Sequence, residues 1–285
     1  MPLFCDITLA ERIERAEARL MARVCERGSG FAIELAGGMA TFAGAGSPYN
    51  KVAGLGFGGV PADGALEDVE RAYAAVRSPV QIELCHLGDP ALAARLTERG
   101  YRLAGFENVL GIALDGERER VTPPGIEIRS SGDDELEHWL QVSADATVLP
   151  DTDGVPSHEE FSREDVLTAM RAFATADVKR YLALRDGAVA GEASFYLNGS
   201  IAQLTGAATL PAHRRRGIQT ALFSTRLSDA AAAGAAIAVV TTQPGSKSQQ
   251  NAQRQGFSLL YTRAILVNPL PGRGDALRRG IGDLA

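Results

Sequence analysis

A cluster of arginines lies where a helix is predicted to begin. The stretch TLPAHRRRGIQTALFSTRL, residues 209–227, places Arg214, Arg215 and Arg216 directly before Gly217, and an apolar helical pattern follows. Because a helix N-terminus carries partial positive charge, three cations there are unfavourable unless an anion binds among them. A glycine lets a ligand approach the free N–H groups of the first turn. The stretch therefore predicts a di- or triphosphate site; a solvated basic turn is the alternative.

The composition of the chain limits what this anion can be. The 285 residues carry a net charge of −6 and give a pI near 5.4. Nucleic acids and anionic membranes are bound through a broad excess of Lys and Arg, so we expect neither as a partner. The least polar run, residues 230–240, is too short to cross a bilayer. The arginines are therefore expected to bind a small molecule.

The cysteines indicate neither a disulfide framework nor a metal site. Cys5, Cys25 and Cys85 are odd in number and fall in no CxxC or Cys/His spacing. No basic partner for a nucleophilic thiol is visible, and the chain has no GxSxG sequence. We therefore expect no metal and a reducing, cytoplasmic location.

Turn residues and apolar periodicity predict the elements that position the arginine loop. Asp186-Gly187 and Asn198-Gly199 separate three apolar runs, which is typical of an antiparallel three-strand meander. A strand and two amphipathic helices precede the meander. A helix over about residues 218–233, a buried strand, a short helix and a last strand follow it. The predicted order of the second half is β-α-α-β-β-β-α-β-α-β.

The first half of the chain repeats most of this order. Gly37 lies 150 positions before Gly187, whereas Gly100 lies 156 positions before Gly256. The six residues missing from the first copy fall in the interval that holds the arginine loop in the second, and Asp63 lies there instead. Chance matching of short apolar strings is the alternative, but the agreement includes turn residues and element order. A duplicated domain is the better interpretation.

The repeat predicts the domain boundaries. We expect a first domain at residues 1–115, which begins at the counterpart of the second helix of the other copy and lacks the arginine loop. The charged run that ends in Pro123-Pro124-Gly125 predicts a linker at 116–124. The second domain then spans 125–268 and is followed by a tail at 269–285.

The second copy resembles the acyl-CoA site of the GNAT superfamily of N-acetyltransferases. The family loop reads [Q/R]-x-x-G-x-[G/A]; residues 214–218 fit it, and Gln219 replaces the normally small last residue. The buried strand and the segment PGSKSQQNAQRQGF also follow the family order. The resemblance covers 125–268, and over 1–115 it depends on the repeat. It implies an α/β tandem GNAT protein with two domains, each a mostly antiparallel mixed sheet flanked by helices.

The resemblance also implies acetyl-CoA as the co-substrate, with one CoA bound per chain. The backbone at Thr209 and Leu210 would pair with the pantetheine arm, and amides from about Arg215 to Thr220 would hold the pyrophosphate. Ser248 and Asn251 would contact the CoA arm, although Ser248 could instead cap its short helix. The implied cofactor-binding set is Thr209, Leu210, Arg214, Arg215, Arg216, Gly217, Ile218, Gln219, Thr220, Ser248 and Asn251.

Two ionisable groups that the family often uses for catalysis are absent. Thr205 replaces a glutamate on the third meander strand, and Ala252 replaces a tyrosine before the Gly-Phe pair. An attacking amine must lose a proton, so Glu192 on the middle strand and a water oriented by Thr205 are the remaining candidates. We expect water to carry the proton and Glu192→Gln to lower turnover only about tenfold. A solvated Glu192 with no role is the alternative.

Four acidic residues precede the second helix of this copy. Asp151, Asp153, Glu159 and Glu160 could attract a cationic amine, or they could simply be exposed.

The predicted function is direct transfer of an acetyl group from acetyl-CoA to an amine of a small molecule or peptide. The chemistry would be confined to the second copy, with the first copy docked on it as a structural partner that walls the substrate cleft. A non-catalytic acyl-CoA-binding or sensor protein is the alternative, because the usual glutamate and tyrosine are missing. A scaffold that binds no CoA is a third possibility, and the intact arginine loop argues against it.

Overall fold

The structure is a computed structural model that describes residues 3–26, 30–116, 118–148 and 160–269. The elements of the first half are α1 (Ile7–Glu26), β1 (Phe31–Leu35), β2 (Gly38–Phe42), β3 (Lys51–Ala53), α2 (Asp63–Ala75), β4 (Val80–Cys85), α3 (Ala91–Glu98) and β5 (Arg102–Ala113). The elements of the second half are β6 (Ile126–Ser130), α4 (Leu136–Val148), α5 (Arg163–Phe173), β7 (Lys179–Arg185), β8 (Ala188–Asn198), β9 (Ile201–Thr209), α6 (Ile218–Ala232), β10 (Ile237–Thr242), α7 (Lys247–Arg254) and β11 (Ser258–Asn268).

The same order of elements occurs in both halves, as the sequence repeat predicted. The series from α1 to β5 matches the series from α5 to β11, and β6 and α4 have no counterpart among the described residues of the first half. The turn glycines agree as well, because Gly37 and Gly187 have φ of 85° and 80°, and Gly100 and Gly256 have φ of 89° and 90°. The predicted α/β fold with a mixed sheet flanked by helices is confirmed.

The two copies share one sheet, whereas two separate sheets were expected. The strand order is β1-β2-β3-β4-β11-β5-β10-β9-β8-β7-β6. Each copy lends its last strand to the other: β11 pairs with β4, and β5 pairs with β10, both antiparallel. The two exchanged strands also pair with each other at the centre of the sheet. The sequence repeats at 1–115 and 125–268 are therefore interlocked.

A local two-fold axis passes through the centre of this sheet. Arg263 on β11 and Glu107 on β5 are directly opposite each other in the antiparallel register. They also lie 156 positions apart, so they are the same position of the two repeats. One repeat position thus contacts its own counterpart, and the two residues carry opposite charges.

Arg263 is the centre of a buried ion network. Its guanidinium, which has no exposed surface, donates to Glu14 Oε1 at 2.7 Å, to Glu17 Oε2 at 2.5 Å and to Glu83 Oε2 at 3.1 Å. Lys51 also pairs with Glu83, and Glu107 Oε2 lies 3.7 Å from Arg263 Nη1. These side chains come from α1, β3, β4, β5 and β11, so the network joins the strands of both copies.

The network holds more carboxylates than cations. Burial is the main cause that raises the pKa of Glu14 and raises the pKa of Glu107 to about 8, and a neighbouring carboxylate adds to each shift. A protonated carboxyl therefore balances part of the excess negative charge near neutral pH.

Helix α1 adds an apolar contact between the copies. Its side chains Leu20, Met21 and Val24 are buried in one cluster with Trp139 of α4 and Phe173 of α5. Helix α1 therefore shields α4 and α5 from solvent, and these two helices in turn pack on β7 and β8.

We expect the fragment 120–285 to be mostly insoluble when it is expressed alone. It lacks β4 and β5, the two neighbours of β11, and it lacks α1, which covers Trp139. Open strand edges and exposed apolar faces lead to aggregation. The soluble fraction after centrifugation measures this, and co-expression of residues 1–116 should restore it. A soluble, folded fragment that binds CoA like the full chain would show that the first copy is dispensable.

We expect Arg263→Met to lower the free energy of unfolding by about 3–5 kcal/mol, because it leaves buried carboxylates without their cation. Arg171→Met is the matched control, since Arg171 forms an exposed pair with Glu137. The control should cost less than about 1 kcal/mol. Urea denaturation of both variants gives the comparison, and equal losses would contradict the role assigned to the network.

Candidate active site

A cleft opens where β9 and β10 separate. The two strands pair in parallel only over residues 201–203 and 237–239, although both continue further along the sheet. Beyond this point the edge of β9 that faces β10 has no strand partner. A cavity of about 810 Å³ lies in the gap and extends to the start of α6 and one side of α7. This volume is within the usual range of small-molecule sites.

A bulge in β9 helps to open the cleft. Ala193 of β8 is opposite Ala207, but Ser194 is opposite Thr205, so Gly206 has no partner. Gly206 also has a φ of 37°, in the left-handed region that glycine adopts at little cost. An extra residue of this kind bends the strand and increases its twist. The bulge lies on the wall of the cavity.

The helix that follows the arginine loop begins without a side-chain cap. Its N-cap is Gly217 at φ 87° and ψ 0°, and its first turn contains no acidic residue. Other helices of the second copy are capped: Ser162 accepts a hydrogen bond from Asp165 at α5, and Ser246 accepts one from Gln249 at α7. The first-turn amides of α6 thus lack a side-chain acceptor beside the cavity, which is the condition for binding an anion.

Most of the predicted cofactor-binding residues line this cavity. They are Thr209, Arg214, Arg215, Gly217, Ile218, Gln219, Thr220, Ser248 and Asn251. Gln219 occupies the normally small position of the loop pattern, and its Nε2 donates to Thr209 Oγ1 at 3.0 Å, which ties the loop to the end of β9. Ser248 does not cap α7, because the N-cap of that helix is Ser246.

Two predicted residues do not line the cavity. The N–H of Leu210 donates to the Ala190 carbonyl at 3.0 Å, and the Leu210 carbonyl accepts from His213 at 2.9 Å. The backbone of Leu210 is thus engaged within the fold. Arg216 is exposed on the loop outside the cavity.

Sequence reasoning missed several residues of the wall. Lys247 and Arg254 bring further positive charge from α7, and Phe223 and Arg226 come from α6. A signal for α7 was present, since Lys247, Asn251 and Arg254 have the i, i+4, i+7 spacing of one helix face. Together with Arg214 and Arg215, the two α7 cations surround the α6 N-terminus.

Glu192 is buried close to the bulge, so its interpretation as a solvated side chain is wrong. It has no exposed surface, and neither carboxylate oxygen accepts a hydrogen bond of normal geometry, although the Ser143 hydroxyl of α4 lies near enough to stabilise the carboxylate. Burial raises the pKa of Glu192 to about 8, while the Ser143 hydroxyl and the charge of Arg226 oppose the shift. A buried carboxyl without partners is costly to retain, which makes it a candidate for chemistry.

Arg226 fixes the backbone behind this carboxyl. Its Nη1 donates to the carbonyls of Ser194 and Thr205, at 3.1 and 3.5 Å, and its Nε donates to Leu222. Its Nη2 has no partner, and burial lowers the pKa of the guanidinium to about 10. The Thr205 hydroxyl shares a hydrogen bond of 3.0 Å with Ser194 Oγ. The predicted pair Glu192 and Thr205 therefore lies around the bulge, with a cation on the opposite side.

Of the four acidic candidates, only Glu160 lies among the described residues, and it does not line the cavity. Asp151, Asp153 and Glu159 lie outside the described residues, and Glu160 is exposed. Burial raises the pKa of Cys25 to about 11 and that of Cys85 to about 12, so both are neutral thiols.

Within residues 3–26, 30–116, 118–148 and 160–269, no group of His, Cys, Asp or Glu is placed to hold a metal ion. Over the same ranges, no helix has the length and apolar character needed to span a membrane.

The first copy has an acidic residue at its counterpart of the anion site. Asp63, in the first turn of α2, forms ion pairs with Arg95 of α3 and with Arg99, the latter at 3.4 Å. A carboxylate of the chain thus neutralises the helix terminus that a phosphate would otherwise occupy.

Comparisons with known proteins agree with this geometry. Residues 137–257 match the model of the Acetyltransferase (GNAT) family. The chain is similar in structure to a GCN5-related N-acetyltransferase from Kribbella flavida, with 23% identity and a TM-score of 0.67, covering 94% of this chain and 98% of that one. It is also similar to a tandem GNAT protein from the clavulanic acid biosynthesis pathway, with 14% identity, a TM-score of 0.56 and coverage of 94% and 97%. No curated protein gives a significant match to the sequence. The structural similarities show the fold.

We expect Gly217→Glu to abolish CoA binding in calorimetry. A carboxylate at the start of α6 would compete for the first-turn amides and repel the pyrophosphate. Gly234→Glu is the matched control, because Gly234 ends the same helix, has a φ of 86° and has open space around it. The control carries the same backbone strain away from the cavity and should retain affinity. Unchanged binding by Gly217→Glu would show that the anion site lies elsewhere.

Proposed function

Because residues 137–257 match the model of the GNAT acetyltransferase family, we propose that this chain transfers an acetyl group from acetyl-CoA to an amine of a small molecule or peptide. One observation carries the proposal: a single cleft joins an uncapped helix N-terminus to a bulge behind which an unpaired carboxylate is buried. The first end suits a pyrophosphate, and the second suits an amine that must lose a proton.

The cleft offers each part of acetyl-CoA a matching surface. The first-turn amides of α6 bind the pyrophosphate, with Arg214, Arg215 and Lys247 close by. The pantetheine arm contains amides, and the free edge of β9 beyond residue 203 supplies N–H and C=O groups to pair with them. Asn251 of α7 faces the same gap. The thioester then reaches Thr205 and Gly206, where β9 bends.

Glu192 supplies the base in this arrangement. An alkyl ammonium with a pKa near 10.4 is neutral to about four parts in ten thousand at pH 7, so a proton must be removed before attack. Glu192 takes that proton directly or through a water held by Thr205. The amine nitrogen then bonds to the thioester carbon, the C–S bond breaks, and the second amine proton passes to the thiolate of CoA. Arg226 Nη2 is an unpaired donor for the negative charge that develops on the thioester oxygen.

A CoA-binding protein without catalysis is the second candidate. Thr205 has no proton-accepting group near neutral pH, and Ala252 is fully buried in the core without any ionisable group. Release of thiol from acetyl-CoA in the presence of a panel of amines separates the two functions. Tight CoA binding with no thiol release for any amine would favour the sensor.

We expect Glu192→Gln to lower kcat/KM at pH 8 by at least about a hundredfold, as for an essential general base. This exceeds the loss of about tenfold expected from sequence, because Glu192 is buried without partners and not solvated. The active form is the carboxylate, so the wild-type rate should rise with pH towards about 8 and then level off. The variant should lack this inflection.

Glu127→Gln is the matched control, because Glu127 is an exposed glutamate on β6. It should leave the rate and the pH profile unchanged, and both variants should bind CoA with wild-type affinity. A Glu192→Gln enzyme with the wild-type inflection would show that another group takes the proton.

A further inference from the structure

A loop of the first copy crosses to the second copy. Residues 43–50, which connect β2 and β3, are here called the crossing loop. Asn50 folds this loop back on itself, since its Oδ1 accepts from the Ala43 N–H at 2.9 Å and its Nδ2 donates to the Gly44 carbonyl at 2.7 Å. Thr41 Oγ1 donates to the Tyr49 carbonyl at 2.8 Å. The loop is therefore held in one conformation by its own hydrogen bonds.

The crossing loop places Tyr49 against α5 of the second copy. The Tyr49 ring stacks on Phe173, with centroids 5.8 Å apart and 17° between the planes. The Tyr49 hydroxyl donates to Met170 Sδ at 3.6 Å. Gly46 lies so close to Asp165 that a Cβ on it would be 2.6 Å from Asp165 Oδ1. The loop thus fits closely over the start and middle of α5.

Met170 separates Tyr49 from Glu192. A Cβ built on Gly206 would lie 3.4 Å from Met170 Cε, 3.6 Å from Ser194 Oγ and 3.9 Å from Glu192 Oε1. The thioether end of Met170, the hydroxyl of Ser194 and the carboxyl of Glu192 therefore meet behind the bulge of the cleft. Burial and the charge of Glu192 both raise the pKa of Tyr49, which shows that the phenol and the carboxyl are within electrostatic reach.

The Tyr49 hydroxyl is poorly satisfied for a residue that only packs. A thioether is a weak acceptor, so the O–H gains little from Met170 while it is held beneath the loop. A phenylalanine would stack on Phe173 equally well without this cost. Glu192 has a similar need, since neither of its oxygens accepts a hydrogen bond of normal geometry and the nearby Ser143 hydroxyl satisfies the carboxylate only in part. The Tyr49 hydroxyl and the Glu192 carboxyl lie on either side of the flexible Met170 side chain, which indicates that a polar group of a ligand binds between them.

We infer that the acceptor amine binds at the junction of the two copies, with its ammonium between Glu192 and the Tyr49 hydroxyl in the place of the Met170 thioether. The inference rests on the proposed function and adds the place of the acceptor and its form there, a primary amine. The ammonium donates one N–H to the carboxylate and one to the phenol oxygen, and the third points towards Ser194. The displaced volume is that of a thioether and a methyl group, which excludes a trialkylated nitrogen.

Tyr49→Phe tests the inference without removing the ring from Phe173. Tyr101→Phe is the matched control, because Tyr101 is a buried tyrosine of the first copy that does not line the cleft. The probes are butylamine, 2-phenylethylamine and lysine amide, with butyltrimethylammonium as a cation that has no N–H. Two measurements are made with each protein: the rise in Tm on adding the probe to the CoA-saturated protein, and the KM for amine with acetyl-CoA.

At least one primary amine should raise the Tm of the wild-type protein, and butyltrimethylammonium should not. Tyr49→Phe should reduce that rise and increase the amine KM about tenfold or more, the loss of a hydrogen bond to a charged group. It should leave the KM for acetyl-CoA unchanged, and Tyr101→Phe should match the wild-type protein in every measurement. A general loss of stability in Tyr49→Phe would alter both KM values and so is distinguishable.

Three outcomes overturn the inference. They are an amine KM in Tyr49→Phe equal to that of the wild-type protein, an equal effect of Tyr101→Phe, and no response of the wild-type Tm to any of the primary amines. Failure of the proposed function has a different signature. The primary amines would then raise the Tm in a Tyr49-dependent manner, while no thiol is released from acetyl-CoA.

Discussion

The exchange of the last strands between the copies is the constraint on which the rest of the structure depends. β11 lies between β4 and β5 of the first copy, and β5 lies between β11 and β10 of the second. The buried guanidinium of Arg263 holds this crossing, since its partners lie on α1, β4 and β5. Neither copy can move relative to the other without breaking backbone hydrogen bonds between strands and leaving buried charges without partners.

This crossing also shapes the cleft. β10 is one wall of the gap, and on its other side it is paired along its whole length with β5 of the first copy. The first copy therefore fixes how far β10 can lie from β9, although none of its described residues lines the phosphate end. The same rigid docking brings the crossing loop over α5. A copy that carries Asp63 at its own counterpart of the anion site thus still determines the geometry of the site in the other copy.

The sequence predicted those features that local chemistry encodes. Gly217 after three arginines is a local signal, as are Asp186-Gly187 and the spacing of Gly100 and Gly256, and each lies where it was expected. The strand exchange has no such signal. β5 and β11 are versions of one repeat with similar apolar patterns, so each could pair with the strand of either copy.

The missed parts of the site have the same origin. Glu192 is polar on a strand, and nothing near it in sequence says which face of the strand is covered. Its burial results from α4 and α5 together with Tyr49, which is more than a hundred positions away. The family resemblance implied that Leu210 binds the pantetheine arm, but a hydrogen bond to β8 engages its backbone N–H. The burial of Glu192 and the hydrogen bond of Leu210 both depend on packing between segments that are distant in sequence.

The pair Glu107 and Arg263 has a consequence for how copies recognise each other. Two identical copies that exchanged strands in this way would place each residue of the axis against itself, so that Glu107 would meet a second Glu107, or Arg263 a second Arg263. Two Arg263 guanidinium groups would repel each other within a dry sheet, and two Glu107 carboxyls, whose pKa burial already raises to about 8, would have no cation between them. The difference between Glu107 and Arg263 therefore favours pairing of the first copy with the second and disfavours pairing of either copy with itself. The two copies are therefore not interchangeable. The second copy can keep the ligand site while the first copy loses it.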